Sequence, residues 1–187
     1  MRRLKLQMQM SLDGMVAARR RSEHSNWDEE VRQYSIENAS NVDCLLIGRK
    51  IAPDFIRHWK SVSDNPKAPD HEFGALITNM PKIVFSKTTD KSEWANATVV
   101  NGDIVEEVNR LKGQVGKDLI VYGGHGFVSS LINHNLIDEF HFLLNPLAYG
   151  DGLSIFSGLR HSRRLKLARS REFSCGTVLL HYEAIPG

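Results

Sequence analysis

Residues Asp118–Asn133 read DLIVYGGHGFVSSLIN, and the fold is decided by what this stretch does in the middle. Leu119 to Tyr122 form a short apolar run bounded by turn residues, the pattern of a buried strand. Gly123, Gly124 and Gly126 break that strand. Beyond them Phe127, Val128, Leu131 and Ile132 recur at helical spacing, so a helix follows. A strand that ends in glycines and runs into a helix leaves backbone N–H groups pointing above the sheet, where phosphates are readily held. The same glycines also serve the turn alone, so the motif has to be read against the rest of the chain.

Outward from this unit, strands and helices alternate. Arg3–Met10 alternates between polar and apolar residues, the period of a half-buried strand. A loop, Ser11–Ala17, follows it, and residues 18–26 are polar. A helix is expected from about Trp27, capped by Asn26, with Val31, Tyr34, Ile36 and Ala39 on its inner face. Val42–Ile47 is the second strand, ending in Gly48-Arg49-Lys50, with a short helix over 51–56. Residues 58–72 read as a loop, and 73–78 as a short helix. A strand at Lys82–Phe85 ends in Ser86-Lys87-Thr88, and Ala97–Val100 is a further short strand. A helix carrying Val105, Val108 and Leu111 ends by Gly113. After the opening unit come a strand at 138–145, a Gly150-Asp151-Gly152 turn, and two strands near 162–169 and 177–183. The alternation predicts an α/β fold, and the final pair adds antiparallel strands at one edge of a mostly parallel sheet. With 187 residues and no linker or repeat, the whole chain, 1–187, is one domain.

Composition excludes several classes. Charged residues are 25% and hydrophobic residues 41%, as in ordinary soluble proteins. No apolar run approaches the roughly 18–20 residues of a membrane span. Arg3, Lys5, Gln7 and Gln9 interrupt the apolar residues of the N-terminus, so it does not read as a signal peptide. Two cysteines, Cys44 and Cys175, are far apart in apolar settings and read as buried thiols in a cytoplasmic protein. The net charge of +2 argues neither for nor against a polyanionic partner. The basic run Arg160–Arg171 alternates with Leu165 and Leu167, as on the exposed face of an edge strand, so nucleic-acid binding is not expected. Arg19-Arg20-Arg21 reads as solvated. The eight histidines show no metal-ligand spacing, no nucleophile–base motif is present, and no metal is expected.

Three strand ends thus carry sequences suited to an anion: Gly48-Arg49-Lys50, Ser86-Lys87-Thr88 and Gly123-Gly124-His125-Gly126. In an open α/β sheet ligands sit beyond the carboxyl ends of the strands, so the three would converge on one extended ligand. In order and spacing these pieces, with Gln9-Met10-Ser11-Leu12-Asp13-Gly14, Ile83–Lys87, and Leu143–Pro146 followed by Gly150-Asp151-Gly152, resemble the dihydrofolate reductase fold. They are closer to the reductase domain of the bifunctional riboflavin-biosynthesis deaminase–reductases and its stand-alone relatives. The likeness runs over essentially the whole chain. It implies a three-layer αβα sandwich and an NADPH-dependent reductase of a pyrimidine- or pteridine-like substrate, resembling 5-amino-6-(5-phosphoribosylamino)uracil reductase.

By that resemblance Gly48, Arg49 and Lys50 contact the cofactor's phosphates. Phe85, Ser86 and Lys87 lie at the adenosine ribose, where Ser86 and Lys87 hold its 2′-phosphate. Gly123, Gly124, His125, Gly126, Phe127 and Val128 cradle the pyrophosphate. The loop from Asp13 to Ala17 covers the nicotinamide. Asp13 matches the family's acid in the Ser-Leu-Asp-Gly segment and is the candidate catalytic and substrate-orienting residue; a turn-forming Asp before Gly is the other reading. Trp27, Phe55 and Trp59 are candidate substrate-cavity aromatics, or core. Dihydrofolate reductases carry a carboxylate in their first helix, where this chain has Arg32-Gln33-Tyr34, so dihydrofolate is disfavoured as substrate. The chain lacks a zinc-deaminase sequence. A non-catalytic nucleotide-binding protein that keeps the fold is the alternative from another class. A conventional dinucleotide-binding dehydrogenase is disfavoured by the missing Gly-x-Gly-x-x-Gly. A homodimer is expected, since relatives of this type often pair.

Overall fold

The computed structural model describes residues 1–18, 26–89, 92 and 94–185. Its centre is an eight-stranded sheet. In chain order the elements are β1 (Leu4–Met10), β2 (Ala17–Ala18), α1 (Glu29–Ser40), β3 (Val42–Gly48), α2 (Ala52–Ser63), α3 (His71–Asn79), β4 (Lys82–Phe85), β5 (Ala97–Val100), α4 (Ile104–Lys112), β6 (Asp118–Val121), α5 (His125–Asn133), β7 (Glu139–Leu144), β8 (Gly152–Leu153), β9 (Leu165–Glu172) and β10 (Val178–Ala184). The sheet order is β5-β4-β3-β6-β1-β7-β10-β9, with β2 and β8 as a separate pair. The six strands from β5 to β7 are parallel, and β10 and β9 are antiparallel to their neighbours. This is the mixed, mostly parallel sheet with antiparallel C-terminal edge strands that the sequence predicts, in a dihydrofolate reductase-like fold.

Helices cover both faces. α4 and α5 bury Val108, Leu111, Val128, Leu131 and Ile132 against Leu4, Leu6, Leu119 and Val121. On the other face α1 and α3 close over Leu45 and Ile120, and α2 sets Ala52 against Ile47 and Val84. The alternation of β1 misleads in one respect. Its polar side is not solvated but lies beneath α1: Gln7 is buried, donates to Ser35 Oγ (2.8 Å) and accepts from Asn38 Nδ2 (2.8 Å). Buried amides are tolerated there because each finds a partner.

The helical boundaries also differ from expectation. Asp28, not Asn26, caps α1, its carboxylate accepting from Val31 N (2.9 Å). α2 continues to Ser63 and α3 starts at His71, so residues 58–63 and 71–72 are helical rather than loop. Ala52-Pro53 explains the first: proline fits the first helical turn, and Phe55, Ile56 and Trp59 then form an apolar stripe. Arg19-Arg20-Arg21 lies outside the described residues. Cys44 is buried, Cys175 only half-buried, and both are free. No described helix is long and apolar enough to cross a membrane.

Carboxylates tie down the amino-terminal edge of the sheet. Asp118 Oδ1 accepts from Arg3 N (2.8 Å) and Asp138 Oδ2 accepts from Leu4 N (2.7 Å). Asp138 also pairs with the buried Lys112 (2.5 Å), and Asp43 with the buried Arg2. On the α1 face, burial alone would raise the pKa of Glu139, but the His141 hydrogen bond and the charges of Lys5 and Arg3 outweigh it and carry it down to about 2. Replacing Asp138 with Ala is predicted to cost about 2–4 kcal/mol, because it strands a buried ammonium and the Leu4 N–H. Urea denaturation measures this; an unchanged midpoint would show that Lys112 finds another partner.

Candidate functional site

The three anion-suited strand ends are neighbours. β4, β3 and β6 lie side by side, with Gly48 opposite Phe85 in the register. Arg49 N donates to Phe85 O (3.0 Å), which fixes the turn after β3 to the end of β4. The next turn is held by close approach. A Cβ on Gly48 would stand 2.9 Å from Phe127 Cβ, so glycine lets the start of α5 lie on the end of β3. Phe127 then meets Phe85, ring centroids 5.0 Å apart. Ile51 reaches over Gly123 and Gly124 from the β3 side.

Gly124 has φ +83° and is the N-cap of α5, offering no side-chain acceptor. The left-handed backbone is the reason for glycine at that position. The first turn of α5, through His125, Gly126 and Phe127, therefore presents its N–H groups and the positive end of the helix dipole at the carboxyl edge of the sheet. His125 and Gly126 are exposed, and Val128 is buried in the core. Arg49 and Lys50 are exposed, and the Arg49 guanidinium lies over the Trp94 ring (5.8 Å). Among the described residues no carboxylate forms an ion pair with Arg49, Lys50 or Lys87.

Beyond β4, Phe85, Ser86 and Lys87 line a cavity of about 690 Å³ with Asn101, Asp103 and His134. Ser86 is buried, and its Oγ accepts from the N–H groups of Thr88 and Thr89 (3.1 Å each). The hydroxyl thus shapes its own loop, and it also lies 3.5 Å from Thr88 Oγ1, a contact in which either oxygen can donate. Asp103, which caps α4, is the acidic wall of this cavity. A second cavity of about 640 Å³, between Arg2, Cys44 and Met80, lies at the amino-terminal edge and is no part of this arrangement.

The first loop sits on the other side of the carboxyl edge and is stitched to the loop after β7. Leu12 N donates to Leu147 O (2.8 Å), and β2 pairs with β8, Ala17 opposite Leu153. Asp13 is the central tie. Its carboxylate accepts from Ser11 Oγ (2.5 Å), Tyr149 N (3.1 Å) and Gly150 N (2.7 Å). These bonds, Ser11's the strongest, hold its pKa below the usual carboxylate value. At neutral pH it is an ionised acceptor, suited to orienting a donor and ill suited to giving a proton. Ala17 is placed in this loop at β2, covered by β8.

Trp27, Phe55 and Trp59 come together in one aromatic cluster with Phe73 and Tyr122, which the sequence reading did not single out. Trp59 meets Phe73 edge-on (4.9 Å), Trp27 meets Phe73 (5.8 Å), and Phe55 stacks on Tyr122 (6.4 Å). Tyr122 directly follows β6 and precedes Gly123, so the cluster adjoins the glycine turn. Trp27 Nε1 donates to Asp70 (2.8 Å), which also binds Arg32 Nε (2.6 Å). The turn Arg32-Gln33-Tyr34 therefore faces partners within the protein: Asp70 for Arg32 and His141 for Tyr34.

Known proteins share this fold. Residues 2–179 match the RibD C-terminal domain family. An uncharacterised Bacillus subtilis protein, YyaP, is 30% identical over 184 residues, spanning 97% of this chain and 94% of that one. A candidate riboflavin biosynthesis protein from Shewanella sp. PV-4 superposes over 100% of both chains with a TM-score of 0.70 at 20% identity. The diaminohydroxyphosphoribosylaminopyrimidine deaminase/5-amino-6-(5-phosphoribosylamino)uracil reductase of Thermotoga maritima also gives 0.70, at 19% identity, over 98% of this chain and 57% of that longer one.

The stitching of the two loops can be tested on one atom. A Cβ at Gly152 would lie 2.5 Å from Ala17 O. Gly152→Ala is predicted to part β2 from β8 and speed hydrogen exchange at the Val16 amide by about tenfold or more, without comparable change in the central strands. Unchanged exchange at Val16 would mean that this pairing does not hold the loop.

Proposed function

The chain belongs to the RibD C-terminal domain family, and on that premise we propose that it is an NADPH-dependent reductase of a pyrimidine- or pteridine-like substrate, working by hydride transfer. The observation that carries this reading is the adjacency of three anion-suited strand ends, β4, β3 and β6, with the first turn of α5 beside them. Arg49, Lys50 and the α5 N–H groups would take the pyrophosphate. Ser86 and Lys87 would take a 2′-phosphate in the cavity beyond β4, which is the basis for preferring NADPH to NADH.

The cofactor would supply the hydride, and the protein would position it against the substrate. Asp13 holds the first loop against the loop after β7 and, being ionised, would orient an N–H or O–H donor of the substrate. The cluster of Trp27, Phe55 and Trp59 would offer an apolar wall for a planar ring. The uracil reductase activity in the name of the Thermotoga protein is a model for the reaction class, and this chain covers 57% of that protein. Dihydrofolate remains a poor fit, since Arg32 and Tyr34 face internal partners. The proposal includes a cytoplasmic homodimer: both cysteines are free, and the edge strand β9 leaves Leu167 50% exposed. A non-catalytic nucleotide-binding protein is the second reading, favoured by the absence of a proton donor at Asp13.

Tryptophan emission reports on binding because Trp94 lies beneath Arg49. NADPH is expected to quench it and to bind more tightly than NADH. Arg49→Ala and Ser86→Ala are each expected to weaken NADPH about tenfold or more, the loss of one charge-assisted hydrogen bond. NADPH oxidation with pyrimidine or pteridine substrates then separates a reductase from a binding protein. Failure to bind either nucleotide would overturn both readings.

A further inference from the structure

A second cluster of ionisable side chains lies away from the carboxyl edge, between β7 and β10 beneath α1. Glu139 and His141 point to the same face of β7, and His181 of β10 pairs directly with His141 across the ladder. Glu139 Oε2 lies 3.1 Å from His141 Nε2 and 3.4 Å from His181 Nε2. The three atoms all fall within 4.8 Å of one another. Glu139 and His141 are buried, and the His181 side chain is 21% exposed.

The surroundings fit a ligand set better than a closed hydrogen-bond network. His141 Nδ1 is 2.5 Å from Tyr34 Oη, a partner that fixes the ring and leaves Nε2 toward Glu139. Arg3 holds the other carboxylate oxygen, Oε1 (2.8 Å), so Oε2 is the one turned to the imidazoles. His181 Nε2 is buried yet makes no hydrogen bond of its own, its approach to Glu139 being out of line.

We propose that Glu139 Oε2, His141 Nε2 and His181 Nε2 form a binding site for a divalent transition-metal ion of the zinc class. Ligands about 2.0–2.1 Å from a tetrahedral ion stand roughly 3.3 Å apart, close to the two nitrogen–oxygen separations found here. Two imidazoles and a carboxylate suit such an ion and do not suit Mg²⁺ or Ca²⁺, which take oxygen ligands. Tyr34 and Arg3 would act as the outer partners that orient the ligands. The two rings now lie nearly parallel, 15° apart with centroids at 4.1 Å. Binding therefore requires a ring to turn, and the partly exposed His181 is the one with room. The fourth position would fall to water, and the ion would clamp β10 to β7 and, through Tyr34, to α1. Arg3, Lys5, Arg169 and Arg171 oppose a cation here, and Glu183 favours it.

The test uses the full chain, stripped with EDTA and dialysed against zinc. One zinc per chain by elemental analysis, a higher thermal midpoint with Zn²⁺ but not Mg²⁺, and four-coordinate d–d absorption after Co²⁺ loading are the expected results. His181→Ala, at the accessible ligand, should abolish uptake while the metal-free chain keeps its fold. Tyr34→Phe should weaken it about 10–100-fold. No stoichiometric zinc in the parent protein, or the same uptake in His181→Ala, would overturn the proposal. Neither outcome bears on nucleotide binding, which is measured separately.

Discussion

The carboxyl edge of this sheet depends on one close contact, Phe127 lying against the bare backbone of Gly48. Any side chain at 48 would push α5 away from β3, because the space is already filled to 2.9 Å. That contact sets the height of the first turn of α5 over the strands. The left-handed Gly124 then lets the chain leave β6 and enter the helix without a side-chain cap. The result is a helix start whose N–H groups are offered outward, beside Arg49 and above the Phe85–Phe127 ring pair. Two glycines fix the position, and the helix supplies the field.

The two edges of the sheet are electrostatically unlike. At the amino-terminal edge Asp43, Asp118 and Asp138 accept backbone N–H groups and neutralise Arg2, Lys5 and Lys112. At the carboxyl edge the described cations Arg49, Lys50 and Lys87 have no carboxylate in an ion pair. Two acids there are buttressed: Asp13 is covered by two backbone N–H groups and a hydroxyl, and Asp103 accepts from Val105 N and Glu106 N. Cations without an acidic partner in an ion pair thus lie at the carboxyl edge, while those of the amino-terminal edge are neutralised.

Most of this architecture was legible in the sequence because its signals are local. The glycine runs at 48 and 123–126, the alternation in β1 and the strand at 82–85 each specify structure within a few residues. What escaped reading is long-range. The polar face of β1 looked like a solvent face because nothing in residues 3–10 announces that Ser35 and Asn38 of α1 will satisfy Gln7. The extent of α2 was hidden by the polar residues at 57, 58 and 60, which lie on its outer side. Among the site residues, the strand-end motifs converge because β4, β3 and β6 are neighbours, an order that alternation alone does not dictate. Phe73 and Tyr122 join Trp27, Phe55 and Trp59 only once α1, α2, α3 and β6 are packed.

The cluster around Glu139 shows the same limit from the chemical side. Ligand spacing is a useful signal when donors come from one helix or one loop. Here His141 and His181 are forty positions apart in sequence and become neighbours through the β7–β10 ladder, where side-chain facing obeys a period of two. Glu139 joins them by the same rule, two residues before His141 on one face. Tyr34 then arrives from a helix that packs across both. An antiparallel pair appended to a parallel sheet therefore does more than close an edge: it adds a row of opposed side chains that no parallel strand of this chain provides. The strand ends of β4, β3 and β6 with α5, and the β7–β10 face beneath α1, draw on different strands and different helices and have opposite charge requirements.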